Sequence, residues 1–317
     1  MNELQARLIK KIGLEFGLGE NPNSVVDWLY LPSDDLLKVF DNYYTSELGL
    51  LKELYYTTPP PFSHNICSKF SSDDVPVLTL ITSVFNGKKY IEEFLKNTVE
   101  QIGFEFYELI LIDCASPGGE KQIIDKYMEK FKNIRYIYLE KDPGLYEAWN
   151  IGVRESRGKY LSNANLDDRK SVAYYSILLD QIMTTDNDFI SSLFWTCRTL
   201  PELDLKDWPV IWYKNANTKI GFFDFIKLEE GNVLDQCLAG PFPLWRKSLH
   251  EEFGYFNEKA YGPSADFEFW LRIVSSGVFG EFYKVPLGYY FKDPNSYARR
   301  ENNAQQFNKK ILNKYIL

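Results

Sequence analysis

At 317 residues, with 45% hydrophobic and 25% charged side chains, the chain can bury one large α/β core or two small ones, which excludes a wholly disordered protein. Its net charge of −8 excludes a molecule drawn as a whole to nucleic acid or to an acidic lipid surface. Four cysteines, Cys67, Cys114, Cys197 and Cys237, form no CxxC pair, and His64 and His250 are the only histidines, so a disulfide scaffold and a multi-histidine zinc site are excluded too.

The first 73 residues read as a helical extension. Leu4, Leu8 and Ile12 recur at four-residue spacing, and Leu36, Leu37, Phe40 and Tyr44 follow Ser33, an N-cap residue type. The segment MNELQARLIKKIGLEF carries acids and no small-residue cleavage site, and no run of about 18 apolar residues occurs anywhere. The expectation is a cytoplasmic protein, soluble or peripheral at the inner face of a membrane. Pro59, Pro60 and Pro61 stop any helix, and Ser71, Ser72, Asp73 and Asp74 form a polar link.

From residue 74 to about 295 apolar runs alternate with amphipathic helices, the pattern of a mainly parallel sheet built from βαβ units. VPVLTLITSVFN is the first strand, and Ile91, Leu95, Val99 and Ile102 stripe the next helix. ELILID ends at Asp113, and Ile124, Tyr127, Met128 and Phe131 mark a second helix. IRYIYLE leads to Asp142, Pro143 and Gly144, which reset the chain before a helix bearing Leu145, Ala148, Trp149 and Gly152. KYLSNAN ends at Asp167 and Asp168. Parallel strands bring these polar ends to one sheet edge, where open α/β folds bind ligands. A helix near 174–183 and a strand near 189–196 begin a less regular second half that completes the sheet. Aromatic residues make up 16% of the chain, more than a core requires, which points to rings lining a groove for sugars or bases. Residues 296–317 form a basic tail, with Arg299, Arg300, Lys309, Lys310 and Lys314 against Glu301.

Four blocks, LITSVFNGKKYIEEFL, LILIDCASPGGE, DPGLYEAWNIGVRESRGKYLSNANLDDR and GPFPLWRKSLHEEFGYFNEKAYGPSADFEFWLR, resemble glycosyltransferase family 2 in order and spacing. The resemblance implies a GT-A fold, a Rossmann-like mixed, mainly parallel sheet flanked by helices, and an inverting, metal-dependent glycosyltransferase of hexosyltransferase type, working in surface polysaccharide or glycan assembly. Its donor would be a nucleotide-diphosphate sugar, a UDP-sugar favoured, and its acceptor a glycan, a lipid-linked group or a protein. Ser83, Phe85, Asp113, Gly144, Asn165 and Asp168 would hold the donor, Phe85 by stacking on the base and Asp113 by accepting a hydrogen bond from it. Asp167 would hold Mg or Mn, a hard cation that offsets the charge building on the departing diphosphate. Asp266 would be the general base, with Glu268 a lesser candidate. Trp245, Arg246 and Lys247 fall near the acceptor side or on a basic surface turn, and Lys292, Arg299 and Arg300 would close as a lid.

The chain departs from the family pattern at three acids, where Cys114, Asn165 and Ala265 stand instead. Those departures keep open an alternative reading, a catalytically silent sugar-nucleotide binding or scaffold protein. GxGxxG and GxxxxGK[ST] are absent, so dinucleotide and P-loop readings find no support.

Overall fold

The computed structural model describes residues 75–170, 174–197, 210–211, 219–220, 239–291 and 304–316. The expectations for residues 1–73, for Lys292 and for Arg299 and Arg300 lie outside these.

Four strands occupy the four apolar runs: β1 (Leu78–Val84), β2 (Tyr107–Cys114), β3 (Ile134–Leu139) and β4 (Tyr160–Asn163). They pair in parallel in the order β3-β2-β1-β4. Every residue of β2 is buried, as an inner strand covered on both faces requires. Between the strands run α1 (Ile91–Val99), α2 (Glu120–Lys130) and α3 (Leu145–Glu155). Helix α1 buries Ile91, Phe94, Leu95 and Thr98, one face at helical spacing. Helix α3 lies so close to the sheet that a Cβ on Gly152 would stand 2.3 Å from Ile81 Cγ2, so only glycine fits there.

The second half adds β5 (Arg169–Lys170), α4 (Tyr174–Thr184), β6 (Phe189–Cys197), β7 (Val210–Ile211), β8 (Lys219–Ile220) and β9 (Leu244–Arg246). After these come α5 (Ser248–Phe253), α6 (Glu258–Tyr261), α7 (Ala265–Ser275), β10 (Gly280–Phe291) and α8 (Ala304–Ile316). Strand β9 is antiparallel to both β4 and β6 and joins the two halves into one mixed sheet, ordered β3-β2-β1-β4-β9-β6-β10-β5.

Among the described residues, many aromatic rings pack on one another inside this half. His250 stacks on Phe269 at 4.6 Å, and Trp245 meets Trp270 edge-on at 5.7 Å. The residues weighed for the acceptor side are fixed into the fold. Trp245 is buried, Arg246 Nε donates to the Asn187 carbonyl at 3.2 Å, and Lys247 Nζ donates to the Ser156 carbonyl at 2.6 Å.

Helix α8, in the stretch read as a basic tail, packs on α7 with Ile311 and Leu312 buried. Glu268 ties it down, accepting from Tyr315 Oη at 2.5 Å, from Lys314 Nζ at 3.3 Å and from Arg272 at 3.1 Å. Those three partners make Glu268 a structural anchor.

Candidate active site

Register places the ends of three strands in a row: Val84 pairs with Asp113, and Asp113 with Tyr138. Strand β4 continues the edge, with Asn163 opposite Ile81 and Ala164 N donating to the Ile81 carbonyl at 2.9 Å. Ser83 is half-buried near the end of β1, and Phe85, just beyond it, is 50% exposed at a position open to a flat ligand. Asp113 is buried and already engaged. Its Oδ1 accepts from Ser116 N at 2.7 Å and its Oδ2 from Tyr136 Oη at 2.6 Å.

Ser116 also reaches the loop that carries Phe85, its hydroxyl accepting from Asn86 N at 2.7 Å. Asn86 and Ala115 both hold positive φ, 49° and 57°, so two facing loops adopt left-handed backbone next to Phe85 and Asp113. Glu120 lies buried behind them. Burial pushes its carboxyl up, but the Ser116 hydroxyl and the N–H groups of Glu120, Gly87 and Lys88 outweigh that and hold it below the ordinary range, though none is in full hydrogen-bond geometry.

The turn after β4 separates two adjacent acids. Asp167 is half-exposed. Asp168 is buried, accepting from Asn165 Nδ2 at 2.9 Å and from Phe291 N at 3.1 Å. Burial, and next the charge of Asp167, raises the Asp168 carboxyl well above the carboxylate range. Burial likewise lowers Lys170, whose ammonium sits 4.6 Å from the Phe242 ring centre. Among the described residues no group of three or more His, Cys, Asp or Glu side chains is arranged to hold a metal ion. The group therefore offers one half-exposed carboxylate, which suits a hard cation that takes its other ligands from phosphate and water.

The third cluster lies where α3 meets α6 and α7. Gly144 precedes α3 with φ 95°, and a Cβ there would stand 2.5 Å from Glu258 Oε2. Glu258 uses that space to cap α3, accepting from Tyr146 N at 3.0 Å and from Glu147 N at 3.3 Å. Asp266 is the second residue of α7, with Oδ1 accepting from its neighbour Phe267 N at 2.7 Å. It keeps some exposed surface, yet protein encloses the carboxyl closely. Burial raises its pKa, opposed by hydrogen bonds from the Tyr146 side chain and the local backbone.

Cys114 ends β2 beside Asp113. Its thiol is pushed up to about 12 by burial and then by the charges of Asp142, Asp113 and Glu258. Asp113 thus ends β2, Asp266 lies in the third cluster, where Tyr146 Oη donates at 3.0 Å to the Pro263 carbonyl just ahead of α7, and Asp167 follows β4 on the far side of β1. Sequence reasoning did not single out Tyr136, Ser116, Glu120, Tyr146 or Glu258. Only SPGGE, a turn composition ahead of a helix, hinted at Ser116 and Glu120.

Comparison with known proteins bears on this architecture. TuaG of Bacillus subtilis (strain 168), a glycosyltransferase named for teichuronic acid biosynthesis, is 28% identical over 94 residues, 30% of this chain and 37% of that protein. The chain thus matches little more than a third of that relative's length. Staphylococcus aureus TarS 1-349, solved with UDP-GlcNAc, superposes with TM-score 0.59 at 16% identity over 76% of this chain and 67% of that one. The mannosyltransferase PcManGT of Pyrobaculum calidifontis, solved with GDP-Man and Mn2+, gives TM-score 0.56 at 15% identity over 97% of this chain and 76% of its own. The likeness to these structures shows the GT-A fold expected from the sequence. The profile of the family described as "Glycosyl transferase family 2" matches residues 79–252, more than half of the chain, and the chain belongs to that family.

Proposed function

We propose that the protein transfers a sugar from a nucleotide-diphosphate donor, a UDP-sugar favoured, to an acceptor hydroxyl in surface polysaccharide or glycan assembly, inverting the anomeric centre. The observation that carries this reading is Asp266: a carboxylate at the start of a helix, enclosed by protein and raised by burial. A base needs a pKa closer to neutrality than a free aspartate has, and burial moves it that way.

In this reading Phe85 stacks on the base, with Ser83 beside it, and Asp113 is presented by Ser116 and Tyr136. Gly144 lets the chain pass close to the donor's phosphates. Asn165 and Asp168 brace the turn that holds Asp167. Asp167 would hold Mg or Mn together with the diphosphate, and when bound the cation offsets the negative charge gathering on the leaving group. Asp266 removes the acceptor's hydroxyl proton, the oxygen bonds to the anomeric carbon, and the bond from that carbon to the diphosphate breaks with its electron pair leaving on the nucleotide.

The three family acids replaced by Cys114, Asn165 and Ala265 favour one second reading, a sugar-nucleotide binding protein without turnover. One assay separates them. Purified protein is given a panel of nucleotide sugars with Mn2+, and nucleotide release is followed in wild type and Asp266→Asn. Loss of a proton-transferring base predicts a rate about 100-fold lower or worse. Equal rates overturn the role of Asp266, and donor binding with no wild-type turnover selects the second reading.

A further inference from the structure

We propose that Tyr136 is a positioning residue that sets base specificity, its hydroxyl fixing the Asp113 carboxylate in an orientation that selects nucleotides whose base carries a ring N–H, uracil or guanine, over cytosine and adenine. The proposal rests on Asp113 reading the base, and it brings in β3, a strand that none of the sequence blocks reached.

On β3, Tyr136 pairs with Leu111 and Tyr138 pairs with Asp113, so Tyr136 lies one step behind the carboxylate on the neighbouring strand. Side chains two residues apart on a strand share a face. Along that face the Tyr136 hydroxyl reaches forward and donates to Asp113 Oδ2 at 2.6 Å. Ser116 N, in the loop after β2, donates to Oδ1 at 2.7 Å. Each oxygen is held by its own donor, and the carboxylate cannot turn without breaking both bonds. An ionised carboxylate has about two acceptor sites on each oxygen, so Asp113 keeps free sites at a fixed angle, and only a donor can use them. Uracil and guanine present a ring N–H on the edge away from the sugar. Cytosine and adenine present a bare ring nitrogen there, whose lone pair would face those of the carboxylate. Their exocyclic amino group lies to one side. A carboxylate free to turn could follow it, and one clamped at both oxygens is left facing the wrong group, which is how a site rejects a near match.

The surroundings keep Tyr136 in this role. Its ring is half-buried, and the Lys121 ammonium of α2, itself bound to Asp125 at 2.7 Å, sits 5.5 Å from the ring centre. Burial, and next the bonded Asp113, push the phenol up, so it keeps its proton and remains a donor. Ser116 ties the clamp to the stacking platform, since its hydroxyl accepts from Asn86 N, the residue after Phe85, at 2.7 Å. The ring open to the face of a base and the carboxylate open to its edge are therefore joined through one serine, and Tyr136 holds the carboxylate from the other side.

The test is nucleotide binding by the full chain, measured by calorimetry with UDP, GDP, CDP and ADP at a constant Mn2+ concentration. Wild type should bind the better of UDP and GDP about 10-fold tighter than CDP and ADP, or more, the worth of a hydrogen bond to a charged group. Tyr136→Phe keeps the ring and its contact with Lys121. It should weaken the preferred nucleotide about 10-fold and leave CDP and ADP within about 2-fold, whereas a general disturbance of the fold would weaken all of them together. Added to Asp113→Ala, the same substitution should change no affinity further, since no carboxylate is left to hold. A preference that Tyr136→Phe keeps in full, an equal loss for every nucleotide, or a further loss in the Asp113→Ala background overturns the proposal. Wild type that binds all bases alike overturns the reading of Asp113 as well, and wild type that binds none overturns the nucleotide-sugar reading, so the failures are told apart.

Discussion

Asp266 is placed where ionisation costs stability. Its folded pKa is raised by burial, so the folded state holds the proton more tightly than the unfolded chain does. Stability from this group is fully present below the ordinary aspartate range of about 4 and is lost as pH rises through the folded value. Asp266→Asn removes that loss. Urea unfolding of both proteins at a series of pH values should show the variant gaining stability relative to wild type as pH rises from about 4 towards neutrality. A difference that stays constant, or shrinks with pH, would contradict the burial argument. The neighbouring acids after β4 show what sequence can and cannot say at this scale. Their position at a strand end was legible from the apolar run before them. That Asp167 would be half-exposed and Asp168 buried was not, because the Phe291 N–H that accounts for Asp168 comes from 123 residues further along the chain.

At the scale of elements, the parallel strands and the helices between them were legible because each announces itself within ten residues: β2 as a continuous apolar run, α1 as a stripe. The devices that lock elements together were not, since they join residues far apart. Glu258 caps a helix more than a hundred residues before it, and Glu268 reads locally as a helix-start acid when it is the anchor of α8. Glu268 is buried with three partners, so removing it takes the acceptor from the Tyr315 hydroxyl and one of several acceptors from Arg272 and from Lys314. Glu268→Ala should cost about 3–5 kcal/mol, the range for removing one partner of a buried ion pair. Lys314 is about half exposed, and Lys314→Ala should cost under about 1 kcal/mol. Chemical denaturation measures both, and equal costs would show that α8 is not held through Glu268.

For the whole molecule, composition spoke correctly of a large α/β core. The rings of Trp245, His250, Phe256, Phe269 and Trp270 pack on one another inside the second half, whereas Phe85 and Tyr138 are the large rings left exposed along the edge where β1, β2 and β3 end. The resemblance implied a mixed sheet, but which strand turns antiparallel was illegible for a physical reason: β9 is three residues long, too short for a period to show. No helix among the described residues is long and apolar enough to cross a membrane. What makes the whole more than its parts is the sheet, which carries clusters from four strand ends to one edge and hangs α7 beside them through Tyr146 and Glu258. A crystal soaked with UDP and Mn2+ tests that claim most directly. The account predicts the uracil ring on Phe85, an anomalous Mn2+ peak beside Asp167, and Asp266 lining the same cavity; Mn2+ bound away from Asp167, or Asp266 walled off from the diphosphate, would contradict it.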